Sequence, residues 1–297
     1  MKTYSIYNIT MAVVFDSPDF MLNHIDINKL NPFSKIYIFI KGFIVGFVFK
    51  KFENSMFVFL LNILFFKKQR LFFNDGFYGL RYFDNLIYFP NKRVVRMFLD
   101  PDFHLKKLYE TYCISKVDIQ DNDIVIDCGS NIGELYYSFL IYNQKVIYYA
   151  FEPELRTYEC LNMNLNTKKN VNLYNFALSN KSKKTTIYID REGANSSLSN
   201  FGSSELKEVE SKRLDDFKID NVKLFKVEAE GHELEVLQGS TKILTRTKFV
   251  SIDYGPEKGA EQVSTMPEVI DFMYKNNFTL VSTSKYRQIG LFKNNNL

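Results

Sequence analysis

The sequence predicts an α/β protein built on a mostly parallel sheet, closed by a C-terminal antiparallel hairpin and preceded by an apolar N-terminal extension. Three observations carry this. From residue 122 onward, short apolar strands alternate with helical stretches. The strand ends carry glycines and acids rather than hairpin turns. The last thirty residues then change rhythm to two strands separated by a short polar turn.

The alternating strands are IVID (124–127), VIYYAF (146–151), VNLYNF (171–176), VKLFKV (222–227) and FVSID (249–253). Runs of this length, apolar on both faces and separated by helices, belong to a parallel sheet covered on both sides. Two further strands, TTIYID (185–190) and EVESKR (208–213), bracket a loop of small polar residues at 193–204 that is a candidate lid over an acceptor. A helix near 267–276 precedes FTLVST (278–283) and QIGLFK (288–293), the closing hairpin at the sheet edge.

The first part of the chain differs in composition. Residues 1–70 hold nine basic and four acidic residues, and two apolar runs, 36–49 and 55–66, separated by KKFEN. Each run is shorter than the ~20 residues a spanning helix needs. They read either as buried packing elements (two helices, or a strand and a helix) or as a hairpin in a membrane interface with lysines at its edges. Residues 1–74 are therefore expected as an extension that makes peripheral membrane contact or an oligomer contact through 36–66, and 75–297 as the catalytic domain. Residues 77–99 read as short strands with a turn at Pro90–Asn91, leading into a helix near 105–112.

Composition excludes several classes. Net charge is +4, and no basic stretch is interleaved with aromatics as a nucleic-acid groove would be. Three cysteines, Cys113, Cys128 and Cys160, lack metal spacing and are odd in number, against a disulfide framework. Three histidines, His24, His104 and His232, are too scattered for a zinc site, and no metal is expected. The N-terminus has no small-residue cleavage site, so a cytoplasmic protein, with or without peripheral membrane contact, is expected.

The chemistry concentrates at three strand ends. In DIVIDCGSNIGELYYSFL (123–140) a strand ends at Asp127, and Gly129 and Gly133 lead into a helix. Glycines permit the tight turn and a close backbone approach, and the helix end offers free N–H groups. A dinucleotide site sets three spaced glycines against a pyrophosphate. Here there are two, and a carboxylate at the loop mouth would repel phosphate but suit a cation. S-adenosylmethionine (SAM), with an ammonium, a sulfonium and no phosphate, matches that sign. In YAFEPE (149–154), Glu152 ends the second strand, 25 residues after Asp127, placed to accept both ribose hydroxyls. In LFKVEAEGHELEVLQGS (224–240), Glu228, Glu230, His232 and Glu233 crowd a third strand end. Glu233 and Glu235 are explained by the helix start they occupy; Glu228 and Glu230 are not.

Four of these segments, taken in order, resemble the FkbM-type SAM-dependent methyltransferases: VIDCGSNIGE (125–134), YAFEPE with ECLNMNLN (159–166), NLYNFALSN (172–180) and KVEAEGHELEVLQGS (226–240). SKRLDDF (211–217) and FVSIDYGPEKG (249–259) also fit, so the likeness covers about 75–293. The resemblance implies a Rossmann-like class-I methyltransferase fold, SAM as donor, and O-methylation of a sugar, glycan or secondary-metabolite hydroxyl. It implies that Asp127, Gly129, Asn131 and Gly133 line the SAM loop, that Glu152 holds the ribose and that Ala177 lies near adenine. Glu228, Glu230 and His232 would face the transferred methyl, with Glu228 or His232 as base, Glu230 orienting and Asp253 in reserve. The family usually places Asp, within K-x-D-x-E-G, where this chain has Glu228. That leaves open a SAM-binding protein without turnover; a nucleotide-sugar or NAD enzyme of the same fold is a separate alternative.

Overall fold

The computed structural model describes residues 4–6, 13–15, 29–189, 198 and 205–297. The chain divides into two compact units, 1–101 and 102–297.

In the first unit, β1 (Tyr4–Ile6) and β2 (Val13–Phe15) pair antiparallel. Helix α1 (Pro32–Lys51) starts where Asn31 caps it, its side chain accepting from the Ser34 amide at 2.8 Å, with Pro32 in the first turn. The cap and proline extend the helix beyond the apolar run that predicts it. Its 20 residues make it about 30 Å long, long enough by length and composition to cross a membrane. A two-residue link leads to α2 (Asn54–Phe65), which ends at Phe66 in the left-handed region. Both apolar runs are thus helices, and only one face of each is buried: Gly42, Val45, Gly46 and Val48 on α1, Phe57, Val58 and Leu61 on α2.

Strands β3 (Arg70–Asn74), β4 (Phe77–Tyr82) and β5 (Asn85–Phe89) form an antiparallel meander. Its first turn, Asp75–Gly76, takes positive φ at both residues, as a tight hairpin requires. Asn62 docks α2 on the meander: its amide nitrogen donates to the Leu71 carbonyl and its oxygen accepts from the Leu71 amide, both at 2.9 Å. The expected domain boundary after residue 74 falls in the β3–β4 turn, inside this sheet, whereas the two units divide after Pro101. A short helix, α3 (Val95–Phe98), closes the unit, and α4 (Pro101–Thr111) begins at the division.

The second unit is a seven-stranded sheet. In chain order its elements are β6 (Ile124–Cys128), α5 (Glu134–Ile141), β7 (Ile147–Phe151), α6 (Leu155–Leu165), β8 (Val171–Tyr174), a side sheet of β9 (Ala177–Leu178), β10 (Lys183–Tyr188) and β11 (Leu206–Lys212), then β12 (Val222–Val227), α7 (Glu233–Gln238), α8 (Thr241–Leu244), β13 (Thr247–Asp253), the small pair β14 (Pro256–Lys258) and β15 (Val263–Ser264), α9 (Met266–Lys275), β16 (Phe278–Thr283) and β17 (Ile289–Asn294). The spatial order is β16-β17-β13-β12-β6-β7-β8. Pairings from β13 through β8 are parallel, and β17 is antiparallel to both its neighbours. This is the Rossmann-like fold with the C-terminal hairpin that the alternation of elements predicts.

Strand β17 enters between β16 and β13, so the hairpin completes the sheet interior as well as its edge. The core is apolar on both sheet faces, with Ile126, Phe225, Val227, Ile252 and Phe292 all buried. From β6 the chain winds one way through β7 and β8, then returns to lay β12 and β13 on the other side. Strand order therefore reverses between β6 and β12, which opens a crevice at their carboxyl ends. Except for Leu198, the candidate lid at 193–204 lies outside the described residues.

Candidate active site

Asp127, near the end of β6, is buried between two strands. Its in-register neighbours are Ala150 on β7 and Lys226 on β12. A lysine inside an apolar parallel strand must find a partner. The Lys226 ammonium lies 2.9 Å from Asp127 Oδ1 and 3.1 Å from Glu228 Oε2, and donates to the carbonyls of Gly129 (2.7 Å) and Cys128 (3.1 Å). Burial disfavours the charged amine, but Asp127 and Glu228 outweigh it and raise its pKa. The Tyr148 hydroxyl donates to the other Asp127 oxygen, Oδ2. The charge of Asp127 is therefore already met by a protein cation, and the acid excess of the crevice lies on its other carboxylates.

The loop after β6 is shaped by its left-handed residues, Gly129, Asn131 and Gly133. A Cβ on Gly129 would lie 2.1 Å from the Glu228 carbonyl, and one on Gly133 2.6 Å from Leu165. Gly129 is thus required by a neighbouring backbone carbonyl as well as by its backbone angle, and Gly133 chiefly by its angle. The loop passes directly over Glu152, whose Oε2 accepts from the Asn131 amide and whose Oε1 accepts from the Glu154 amide, each at 3.0 Å. Burial pushes the Glu152 carboxyl up to about 8 despite these two bonds. Asn175 reaches back to the Glu152 carbonyl at 2.9 Å, which ties the segment before β9 to the end of β7. Ala177, two residues on, is buried on β9.

Beyond β12, Glu228 carries three partners. Oε2 receives the Tyr112 hydroxyl and meets Lys226, and Oε1 pairs with the Arg287 guanidinium at 2.7 Å. Burial works against its charge, but Lys226 and Arg287 prevail and hold its carboxyl down at about 2. Arg287, from the β16–β17 turn, also pairs with Asp253 (2.7 Å) and Glu257 (3.0 Å). Burial, then the charges of Glu228 and Glu257, push Glu230 up to about 10, and it hydrogen-bonds Glu257, whose own pKa is raised by burial and by Glu228. Burial and Glu228 lift Asp253 to about 7.

His232 faces the other way. Its Nε2 lies 2.9 Å from the Ser179 hydroxyl beyond β9, and its Nδ1 3.4 Å from Glu235. Burial lowers its pKa, so it is neutral at pH 7. Glu233, read from the sequence as a helix-start residue, accepts from the amides of Ala229 and Gly231 and from the Thr265 hydroxyl.

The structure thus brings Asp127, Gly129, Asn131, Glu152 and Glu228 around one crevice, with Glu230 beside Glu257. It sets Gly133 back against α6, Ala177 on the side sheet, and His232 against Ser179. Lys226, Arg287, Tyr112, Tyr148 and Glu257 escaped the sequence reading. Lys226 had a usable signal, a cation within VKLFKV. Arg287, in a polar turn far along the chain, had none.

Comparison with known proteins follows this geometry. A match to the hexuronic acid methyltransferase AglP of Haloferax volcanii runs over 140 residues at 29% identity and covers 46% of this chain. The matched region spans 57% of that relative's length. Among solved structures, the methyltransferase FkbM from Methylobacillus flagellatus KT superposes with a TM-score of 0.45 at 13% identity, over 67% of this chain and 52% of the other. M. jannaschii TYW2 in complex with AdoMet does so at 0.41 and 15%, over 76% and 90%. The Methyltransferase FkbM domain matches residues 127–280, which run from Asp127 at the end of β6 into β16 and make up more than half of the chain; the protein belongs to the FkbM methyltransferase family.

Proposed function

We propose that this protein transfers a methyl group from SAM to a hydroxyl of a sugar or glycan. One observation carries the reading. Six carboxyl groups (Asp127, Glu152, Glu228, Glu230, Asp253, Glu257) converge on the carboxyl ends of β6, β7, β12 and β13 with two cations, Lys226 and Arg287, among them. The raised pKa values of Glu152, Glu230, Asp253 and Glu257 reflect a cost of ionising these groups, first from burial and then from neighbouring acids. A cation relieves it, and a diphosphate aggravates it.

The donor set therefore fits SAM. Asp127, Gly129, Asn131 and Gly133 form the loop around it, and Glu152 is the ribose acceptor. Each Glu152 oxygen uses one acceptor position on a backbone amide and keeps another free for a hydroxyl. Ala177 lies on the adenine side. The bound sulfonium supplies an activated methyl, so the chain's main task is to hold an acceptor oxygen in line. Glu228, with a pKa near 2, is a weak base; it fixes Lys226, Tyr112 and Arg287 in place. His232, neutral and partly buried, is the base we assign to the hydroxyl proton; its ring would have to turn from Ser179 toward the crevice to take it, with Glu230 orienting the acceptor.

The AglP likeness supports a sugar, a hexuronic acid in that relative, as the acceptor class. The test is methyl transfer from radiolabelled SAM to a panel of neutral hexosides, hexuronic acid glycosides and membrane glycolipid extracts. Label in a base-stable ether on a sugar supports the reading. Label only in an ester, or in none of the sugars while SAM binds, overturns the acceptor assignment.

A further inference from the structure

The two N-terminal helices present an apolar face that none of the described residues of their own unit covers. On α1 the exposed residues Phe33, Ile36, Tyr37, Ile40, Phe43, Ile44 and Phe47 recur at three- and four-residue spacings, as 33/36/40/43/47 and 33/37/40/44/47, and form a single stripe. Opposite them, Gly42, Val45, Gly46 and Val48 are buried. On α2, Met56, Phe59 and Ile63 form a second exposed stripe, opposite Phe57, Val58 and Leu61. Phe33 and Phe66 are more than four-fifths exposed. Every residue of the α1 stripe is two-fifths or more exposed, a contiguous apolar face of the kind that marks an interaction site.

We propose that the outer faces of α1 and α2 lie in the headgroup region of an anionic bilayer and hold the protein on a membrane surface without crossing it. The inference does not depend on the methyl-transfer reading.

Charge identifies the occupant. Between residues 29 and 70 the chain carries Lys29, Lys35, Lys41, Lys50, Lys51, Lys67, Lys68 and Arg70 against a single acid, Glu53, which pairs with Lys92. Lysine pairs stand at the end of α1 and just beyond α2, where they reach headgroup phosphates while the aromatic side chains enter the acyl boundary. Protein interfaces deplete lysine at their cores, and here Lys41 borders the stripe halfway along the helix. Its ammonium rests 4.4 Å from the Phe65 ring centroid, with the stem along the apolar surface.

Geometry separates lying on a bilayer from spanning it. Alone, α1 has the length to span. Spanning would bring Lys41 to mid-membrane and strip Gly42, Val45, Gly46 and Val48 of the packing that buries them. At 12 residues, α2 is about 18 Å long and cannot span.

The experiment is flotation of the full chain with vesicles of phosphatidylcholine, with and without phosphatidylglycerol. It uses the wild type and the double variant Phe43→Glu/Phe59→Glu, both positions being exposed. Circular dichroism confirms that both proteins are folded. The chain has no tryptophan, so Phe47→Trp adds a single emitter whose quenching by lipids brominated at shallow or deep acyl positions reads depth. The expected result is at least about tenfold greater flotation with the anionic vesicles, lost in the double variant and weakened by salt, with shallow quenching strongest. Absence of flotation by folded wild type overturns the proposal. So does flotation indifferent to lipid charge, deepest quenching at mid-bilayer, or a dimer that the double variant dissolves, which would make a second copy the occupant.

Discussion

The ammonium of Lys226 lies 2.9 Å from the carboxylate of Asp127, and both side chains are almost wholly buried. The acid at the mouth of the loop between β6 and α5 is therefore one half of a buried ion pair across β6 and β12. Its partner also grips the loop through the carbonyls of Cys128 and Gly129. The pair shapes the loop, and the cation-seeking character of the crevice falls to Glu152, Glu230, Asp253 and Glu257.

Removing either half strands the other. Lys226→Met leaves Asp127 and Glu228 buried without their cation, and is expected to destabilise the second unit by about 3–5 kcal/mol. Asp127→Asn should cost less, because Lys226 keeps Glu228 and two carbonyls. The Lys226→Met/Asp127→Leu double variant should recover part of the loss. Urea unfolding followed by circular dichroism measures all three, and simple additivity of the two single losses would show that the residues are not coupled.

Glu152 sets a pH dependence whose sign is fixed. Its carboxyl ionises near 8 in the fold, against ~4.3 for an unfolded chain. Between those values the folded protein holds a proton that the unfolded chain has released, so Glu152 lowers stability as pH rises, levelling above about 8. Glu228 acts oppositely: held at about 2, it stabilises the fold at neutral pH, and that contribution fades as pH falls below ~4. Thermal melts across pH 5–9 should show Glu152→Gln losing part of the alkaline decline. A parallel decline in wild type and variant would contradict the burial of this charge.

A bound cation favours the ionised form of the acids around it. SAM binding near neutral pH should therefore release protons, chiefly from Glu152, and affinity should rise with pH until about 8. Calorimetry in buffers of different ionisation enthalpy counts the protons. In Glu152→Gln the count should fall and affinity should drop at least about tenfold, the loss of a hydrogen bond to a charged group.

The catalytic assignments separate by variant. His232→Ala is expected to lower kcat by about 10²–10⁴ with little change in SAM affinity. Because burial lowers the His232 pKa, the acid limb of kcat should fall below the usual histidine range. Glu228→Gln should lower kcat by disordering Arg287 and Tyr112, and Glu228→Asp should cost less. The shorter acid retracts by about 1 Å, enough to keep the Lys226 contact at the expense of Arg287. Retained activity in Glu228→Gln with a loss in Glu228→Asp would mean that reach, not charge, is what Glu228 supplies.

The parallel sheet was legible because burial on both faces writes continuous apolar runs, and the strand ends were legible because acids and glycines interrupt those runs. The pairing of Asp127 with Glu152 around one loop followed from a single strand–helix–strand spacing. Arg287 was not legible, since a turn residue reaches Glu228, Asp253 and Glu257 only once β17 has inserted beside β13. Nor was the pairing of Asp127 with Lys226, because register across β6 and β12, not sequence distance, sets the two side by side. The helices at 32–51 and 54–65 looked apolar on every face, and only packing shows which face each one buries.

The central claim is that the acid-rich crevice holds a cationic nucleoside without phosphate. Mass spectrometry of the purified, undenatured protein, followed by calorimetric titration, tests it directly. The account predicts SAM or its demethylated product retained at the crevice, competed by added SAM and lost in Glu152→Gln. Retention of NAD or a nucleotide sugar, with no heat of SAM binding, would contradict it.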